Sequence, residues 1–252
     1  MKNLTTTIKS ILLLLLLTTT LHLKAQDDNF LENDEQVNIF NNAVMAFNNK
    51  QFQSVIDSTN KLISLNPNIP QVYNLRGNAY FSLNQFENAI NDFSKAIQLN
   101  NKFIDAYRRR SDTYRSQGKY NLALNDMNTL IELDPNNSNF YYNRGILHRE
   151  SNDLTHAFSD LSKSIALNPN NAHALLSRAD VLFGLNDYNQ AKKDLDEAIK
   201  NNNQLFDAYK LRGMTNHRLN RYDDAINDYD YVISKDNSDP NTYYYRAMAH
   251  LD

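Results

Sequence analysis

A repeat of 34 residues runs through most of this chain of 252 residues. Alanine returns at this interval, and so does a position that is usually tyrosine. The alanines are Ala89, Ala123, Ala157, Ala191 and Ala225. The tyrosine-rich position holds Tyr73, Tyr107, Tyr141, Leu175, Tyr209 and Tyr243. A period of this length restricts the chain to a stack of small units, because one such unit cannot bury a hydrophobic core alone.

The repeat divides the chain into six complete units and the beginning of a seventh, numbered here in chain order. The complete units are 36–69, 70–103, 104–137, 138–171, 172–205 and 206–239, and the partial unit is 240–252. In unit two, Tyr73, Gly77 and Tyr80 have the spacing of three or four residues that places side chains on one helix face. The second half of the unit repeats this spacing from Ala89 to Ala96. Each unit is therefore predicted to form two amphipathic helices.

The residues between the two halves of each unit predict where the chain reverses. Most are residue types that adopt a left-handed backbone conformation at low steric cost. They are Asn84, Gly118, Asn152, Asn186 and Asn220. Lys50 occupies this position in unit one and is the exception. We expect the first helix of each unit to end here and the second helix to return antiparallel to it.

This pattern resembles the tetratricopeptide repeat family, and the resemblance covers residues 36–252. In unit two it is carried by Tyr73, Gly77, Tyr80, Ala89, Phe93 and Ala96. Equivalent residues recur in the other units, and Pro135 and Pro169 close units three and four. The resemblance implies an all-α fold, a right-handed α-solenoid of antiparallel helix hairpins. It also implies a concave groove, lined by the first helices, in which partners bind.

Arginine and aspartate recur at the same interval as the packing residues. The arginines of complete units are Arg76, Arg110, Arg144, Arg178 and Arg212, and Arg246 follows in the partial unit. The aspartates are Asp92, Asp126, Asp160, Asp194 and Asp228. The pattern favours a repeated, partly buried ion pair that fixes the helix geometry, since arginine suits such sites; an arginine ladder for anionic ligands is the alternative. Pairing within a unit and pairing with the preceding unit are both compatible with the spacing.

The composition argues against catalysis and against a bound cofactor or metal. The chain has no cysteine and only five glycines, which excludes thiol nucleophiles and leaves little material for phosphate-binding loops. None of the six histidines forms a two-histidine motif of the zinc-hydrolase kind. His148 and His156 are eight residues apart across a predicted turn, and His148 shares the position of Tyr80 and Tyr114. His148 is accordingly interpreted as a packing residue, and we expect no catalytic residue, cofactor or metal.

The resemblance also implies which residues line the groove. The candidates are Asn74 and Asn78 in unit two, Arg108, Arg109, Asp112 and Arg115 in unit three, Tyr142, Asn143 and Arg149 in unit four, and Leu176 and Phe183 in unit five. Units three and four gather four arginines in a chain whose formal net charge is −3. We therefore expect a protein or peptide partner with an acidic or carboxyl-terminal segment; an ordinary solvated helix face is the alternative. The negative net charge disfavours nucleic acid as a partner.

The first 25 residues have the layout of a secretory signal peptide. Two lysines precede an unbroken aliphatic run, Ile11–Leu17, and polar residues then lead to Ala25. The apolar stretch ends at Leu23 and is shorter than the roughly 20 residues of a membrane-spanning helix. We expect cleavage after Ala25, as in the similar signal peptides of Bacteroidetes, with retention of the uncleaved segment as the alternative. Residues 26–35 are then an acidic, flexible lead-in.

These features together predict an exported, periplasmic or extracellular scaffold without stable membrane insertion. It would bind proteins or peptides in the cell envelope and catalyse no reaction itself. One alternative is the sensory or binding portion of a longer protein, linked to a kinase or transferase. Another is a binder of glycan or peptidoglycan, since tyrosine-rich grooves can stack on sugars, although most tyrosines here occupy packing positions.

Overall fold

The computed structural model describes residues 31 and 33–252, which form thirteen α-helices and no β-strand. The predicted signal peptide, residues 1–25, and most of the predicted lead-in lie outside the described residues. The helices are α1 (Asp34–Asn48), α2 (Phe52–Leu65), α3 (Pro70–Ser82), α4 (Phe86–Leu99), α5 (Ile104–Ser116), α6 (Tyr120–Leu133), α7 (Ser138–Glu150), α8 (Leu154–Leu167), α9 (Ala172–Gly184), α10 (Tyr188–Asn201), α11 (Phe206–Arg218), α12 (Tyr222–Lys235) and α13 (Pro240–Leu251).

The helices pair as the repeat predicts. Each complete unit contributes two helices that pack against each other, from α1 with α2 to α11 with α12, and α13 belongs to the partial unit. Each second helix also packs on the first helix of the next unit. The predicted all-α solenoid of helix hairpins is therefore confirmed.

The first helices form one layer of the solenoid. In addition to their partners within units, α1 contacts α3, α3 contacts α5, α7 contacts α9, α9 contacts α11 and α11 contacts α13. We call the surface formed by α3, α5, α7, α9, α11 and α13 the first-helix face. All the predicted partner-binding residues belong to these helices.

The turns within the units adopt the predicted left-handed conformation. The backbone angle φ is positive at Asn84 (58°), Gly118 (69°) and Asn152 (64°), and equivalent values occur at Asn186 and Asn220. Lys50 also has a positive φ of 59°. The turn therefore imposes the left-handed conformation even on lysine, for which it is sterically unfavourable.

Close packing between the two helices of a unit depends on a small residue in the first helix. A Cβ atom added to Gly77 would lie 2.7 Å from Cε1 of Phe93, and one added to Gly213 would lie 2.6 Å from Cε1 of Tyr229. Where alanine replaces the glycine, as at Ala179 in unit five, the facing residue 16 positions later is the narrower Leu195. In units two and six glycine therefore makes room for an aromatic ring, whereas Gly145 of unit four faces Leu161, whose Cγ would lie 2.8 Å from an added Cβ.

The amino-terminal end of α1 lies earlier than the repeat suggests. Asn33 caps the helix, because its side-chain oxygen accepts a hydrogen bond from the backbone N–H of Gln36 at 3.0 Å. Glu35 forms an ion pair with Lys61 of α2 at 2.8 Å. The last two residues of the segment predicted as a flexible lead-in, 34 and 35, are therefore helical.

No helix within residues 33–252 combines the length and the apolar character that a bilayer crossing requires.

Candidate functional site

Each repeated arginine of a complete unit binds the aspartate that follows it by 16 residues in the same unit. In unit three, Arg110 Nε donates to Asp126 Oδ2 at 2.9 Å and Nη2 donates to Oδ1 at 2.7 Å. The equivalent pairs are Arg76 with Asp92, Arg144 with Asp160, Arg178 with Asp194, and Arg212 with Asp228. Of the two pairings left open by the sequence, the structure contains the one within the unit.

The remaining guanidinium nitrogen of each arginine reaches back to the preceding unit. Arg110 Nη1 donates to Ser94 Oγ of α4 at 2.9 Å. The acceptors of the other arginines, 16 residues earlier in each case, are Asn60, Asn128, Ser162, Asp196 and Asp230. Arg110 also lies over the ring of Tyr107, 5.7 Å from its centroid. Because protein acceptors take these donors, the arginines join helices and do not form a row of open anion sites.

The two predicted binding residues of unit two are buried. Asn74 has no exposed surface and Asn78 retains 5%. The side-chain amide of Asn74 donates to Asp105 Oδ2 of α5 at 3.0 Å. Both residues therefore pack between neighbouring first helices, which leaves little of their surface for a partner.

Three of the four predicted groove arginines are paired with acids, and two of these three, Arg108 and Arg115, belong to unit three. Arg108 Nη2 lies 2.5 Å from Asp105 Oδ1 and its Nη1 lies 3.7 Å from Asp112 Oδ2. Arg115 forms two hydrogen bonds with Glu150 of α7. Burial raises the pKa of Asp112, against the opposing effect of the surrounding arginines. Burial would also raise the pKa of Asp105, but Arg108, Asn74 and Arg109 together outweigh it, and the pKa is lowered.

Arg149 is paired in the same way, with Asp180 of α9 at a distance of 2.8 Å. The sequence analysis did not predict that Glu150 and Asp180 pair with these arginines. They follow their arginines by 35 and 31 residues, so they fall outside the 34-residue period. Opposite charges at these two offsets on successive first helices are the signal that could have revealed them. The predicted basic patch is thus a band of alternating positive and negative charges.

Arg109 is different from the other three arginines. Within residues 33–252 it forms no ion pair, and its buried Nε has no hydrogen-bond partner. Burial and the positive charge of Arg108 lower the pKa of Arg109. On the preceding first helix, buried oxygens of Gln71 and Asn74 are also unpartnered. Asp105 and Asp112 attract this charge, but neither forms an ion pair with it, so the half-buried guanidinium favours an incoming anion that binds it directly.

The remaining predicted residues take part in packing. Tyr142 lies against the buried cluster that contains Leu161 and Val181. Leu176 lies against the cluster around Leu175 and Leu182. Asn143 is half-buried on the same helix as Tyr142.

Phe183 lines an apolar cleft of about 240 Å³ where α9, α11 and α13 meet. Met214, Tyr244 and Met248 form other parts of its wall, and Arg218 lies at the same cleft. Tyr244 is 61% exposed. The partial unit thus supplies two cleft residues, Tyr244 and Met248, that the predicted set did not include.

The sequence matches profiles of one family along most of its repeated part. Profiles described as tetratricopeptide repeat match residues 70–103, 138–171 and 176–240, and a profile described as TPR repeat matches 112–150. No curated protein sequence gives a significant match.

Many solved structures share this fold. A tetratricopeptide repeat protein from Parabacteroides merdae is 20% identical, with a TM-score of 0.71, and the match covers 87% of each chain. The pilF protein of Pseudomonas aeruginosa is 14% identical, with a TM-score of 0.71, over 84% of this chain and 97% of that one. YrrB, described as a TPR protein with an unusual peptide-binding site, is 19% identical, with a TM-score of 0.61, over 74% of this chain and 96% of its own. At these identities the likeness concerns the fold.

Proposed function

Because the chain belongs to the tetratricopeptide repeat family, we propose that it is a non-catalytic scaffold that binds a peptide segment of another protein along its first-helix face. The likeness to YrrB, whose description includes a peptide-binding site, supports this proposal. The hairpins also leave an extended layer of first helices on which a peptide can lie across several units.

The observation that carries the proposal is the unpartnered guanidinium of Arg109. Its neighbours Arg108, Arg115 and Arg149 are already paired with carboxylates. An acidic side chain or a carboxyl terminus placed at Arg109 would supply a directly bound counter-ion for this half-buried guanidinium. The expected ligand is therefore a segment with one well-placed carboxylate, since the alternating charges around it offer no general attraction to polyanions.

The first prediction tests this carboxylate directly. Carboxyl-terminal decapeptides from the native proteome would be screened against the chain, each as the free acid and as the amide. We expect peptides that bind as free acids to lose about tenfold or more of their affinity on amidation or on Arg109→Gln, because a hydrogen bond to a charged group contributes about 1.5–3 kcal/mol. Fluorescence anisotropy would measure the dissociation constants.

Arg221→Gln is the matched control, because Arg221 is an exposed arginine at the turn before α12. Its replacement changes the net charge equally but should leave peptide affinity unchanged. Equal affinities for acid and amide forms, or equal losses in the two variants, would contradict the carboxylate-binding role of Arg109. Failure of every peptide to bind would contradict the scaffold function itself.

We also propose that the scaffold acts outside the cytoplasm, in the cell envelope. The lysines, aliphatic run and terminal Ala25 of the first 25 residues support this, since they follow the order of a signal peptide. The second prediction is that protein recovered from the periplasm or medium of its own cells begins at Gln26. Intact-mass analysis would measure this, allowing for cyclisation of the terminal glutamine. A full-length product held in the membrane would contradict it.

A further inference from the structure

Two histidines and an aspartate meet at the turn between α7 and α8. The side-chain donor atoms of His148, Asp153 and His156 all lie within 4.8 Å of one another. His156 Nδ1 is 2.7 Å from Asp153 Oδ2, and His148 Nδ1 is 3.6 Å from the same oxygen. The two imidazole rings are stacked with their centroids 5.2 Å apart. The turn thus brings together three groups that the sequence alone did not identify as a site.

We propose that His148, Asp153 and His156 form a binding site for a divalent transition-metal ion such as Zn²⁺. Imidazole nitrogen and carboxylate oxygen are ligands that zinc accepts, and three of them leave a coordination position for water or for a partner's side chain. Ligand atoms about 2.0–2.2 Å from a tetrahedral ion lie roughly 3.3–3.6 Å apart. The Asp153 oxygen lies 2.7 Å and 3.6 Å from the two imidazole nitrogens, and the exposed ring of His156 can move to accommodate the ion.

A carboxylate lies near the second ring nitrogen of His148, although too far away for a hydrogen bond. This nitrogen, Nε2, lies 3.8 Å from Asp160 Oδ2. Asp160 is itself held by two hydrogen bonds from Arg144. Metal-bound histidines usually direct their second nitrogen at a carboxylate, which fixes the ring and increases its basicity. The repeated ion pair of unit four therefore places a carboxylate close enough to orient the proposed ligand once the ring moves toward it by less than about 1 Å.

Asp153 is held in place by a second role. Its Oδ1 accepts a hydrogen bond from the backbone N–H of His156 at 3.2 Å, which caps α8. This bond leaves Oδ2 directed at both imidazoles. The carboxylate is thus oriented without any metal, so binding an ion requires little ordering of this ligand.

The other five complete units provide an internal comparison, because they have the same turn without the three ligands. The residues at the three positions are Ala46, Gln51 and Ser54; Tyr80, Gln85 and Asn88; Tyr114, Lys119 and Leu122; Leu182, Asp187 and Gln190; and Asn216, Arg221 and Asp224. Packing of the hairpin therefore does not require the combination found in unit four. Packing also gives no reason for a histidine at the exposed position of His156.

The test is an isothermal calorimetric titration of the untagged full chain with zinc chloride. We expect saturable binding of one ion per chain. His156→Ala and Asp153→Asn should each weaken it about 100-fold or more, since altering even an outer-shell partner of a metal costs 10–100-fold. Asparagine is also a good helix cap, so Asp153→Asn should leave the helix content measured by circular dichroism unchanged.

Asp187→Asn in unit five is the matched control. Asp187 caps α10 through the backbone N–H of Gln190 at 3.1 Å, as Asp153 caps α8, but it has no histidine neighbour at the equivalent positions. Zinc affinity should be unchanged in this variant. Nuclear magnetic resonance should also show zinc-dependent shifts of the imidazole signals of His148 and His156 and none for His173. Absence of saturable zinc binding, or equal affinity in the wild-type chain and His156→Ala, would overturn the proposal.

Discussion

Phe93→Ala is expected to lower the free energy of unfolding by about 3–5 kcal/mol, the usual cost of removing a buried aromatic ring. Phe93 has no exposed surface, and its ring fills the space left by Gly77 in the facing helix. To fill this space α3 and α4 would have to move closer together, which the other residues packed between them oppose. Chemical denaturation followed by circular dichroism would measure the loss.

The same contact can be tested from the glycine side. Gly77→Ala should cost about 1–3 kcal/mol, because the new Cβ would lie 2.7 Å from the Phe93 ring. The double variant Gly77→Ala/Phe93→Leu reproduces the pair Ala179 and Leu195 of unit five, both fully buried. It should therefore lose less stability than the sum of the losses in Gly77→Ala and Phe93→Leu.

Gly184→Ala is the control for this series. The nearest side-chain atom to an added Cβ there is Leu154 Cδ1 at 3.3 Å, so the effect should stay below about 1 kcal/mol. Additive losses in the cycle of Gly77 and Phe93 would show that glycine is not required by the ring.

Removal of Asp126 is expected to destabilise the chain by about 1–3 kcal/mol, because Arg110 would keep its charge in a partly buried place without a counter-ion. The aspartate side chain is 5% exposed and that of Arg110 is 18% exposed. Arg110→Met, which keeps the apolar stem, should cost a similar amount. The double variant Arg110→Met/Asp126→Ala should lose much less than the sum, as measured by denaturation of all four proteins.

Arg246→Met provides the contrast within the same chain. Arg246 pairs with Asp230 where both side chains are substantially exposed, 33% and 52%. Its loss should cost less than about 1 kcal/mol, since water already solvates both groups. A larger loss at Arg246 than at Arg110, or additivity in the Arg110 cycle, would contradict the structural role of the repeated pair.

The helical repeat was predictable because equivalent positions have the same structural role in every unit. Ala89 and its equivalents are all fully buried, and the asparagine turns all have positive φ. Six copies of one pattern average out single exceptions such as Lys50, which a lone unit would have left ambiguous. Residues required for helix packing and for the turns can therefore be recognised because they recur every 34 residues.

The surface was less predictable because it depends on contacts that break the period. The distance from Arg115 to Glu150 depends on how far two long side chains reach between successive first helices. Likewise, His148 and Asp153 meet only because the left-handed turn at Asn152 folds α8 back along α7. Such encounters involve one unit or one junction, so repetition gives no sign of them.

The arginines that bridge successive units make the folding of those units cooperative. When one unit unfolds, the arginine of the next unit loses the acceptor that its Nη1 used, as Arg110 would lose Ser94. Disorder in one hairpin is thereby transmitted to its neighbour, as in a one-dimensional chain of coupled elements. The acceptors at the last two junctions are the carboxylates Asp196 and Asp230, whereas earlier junctions use neutral groups. Coupling at these two partly exposed junctions should thus be more sensitive to acid and salt than coupling at the earlier ones.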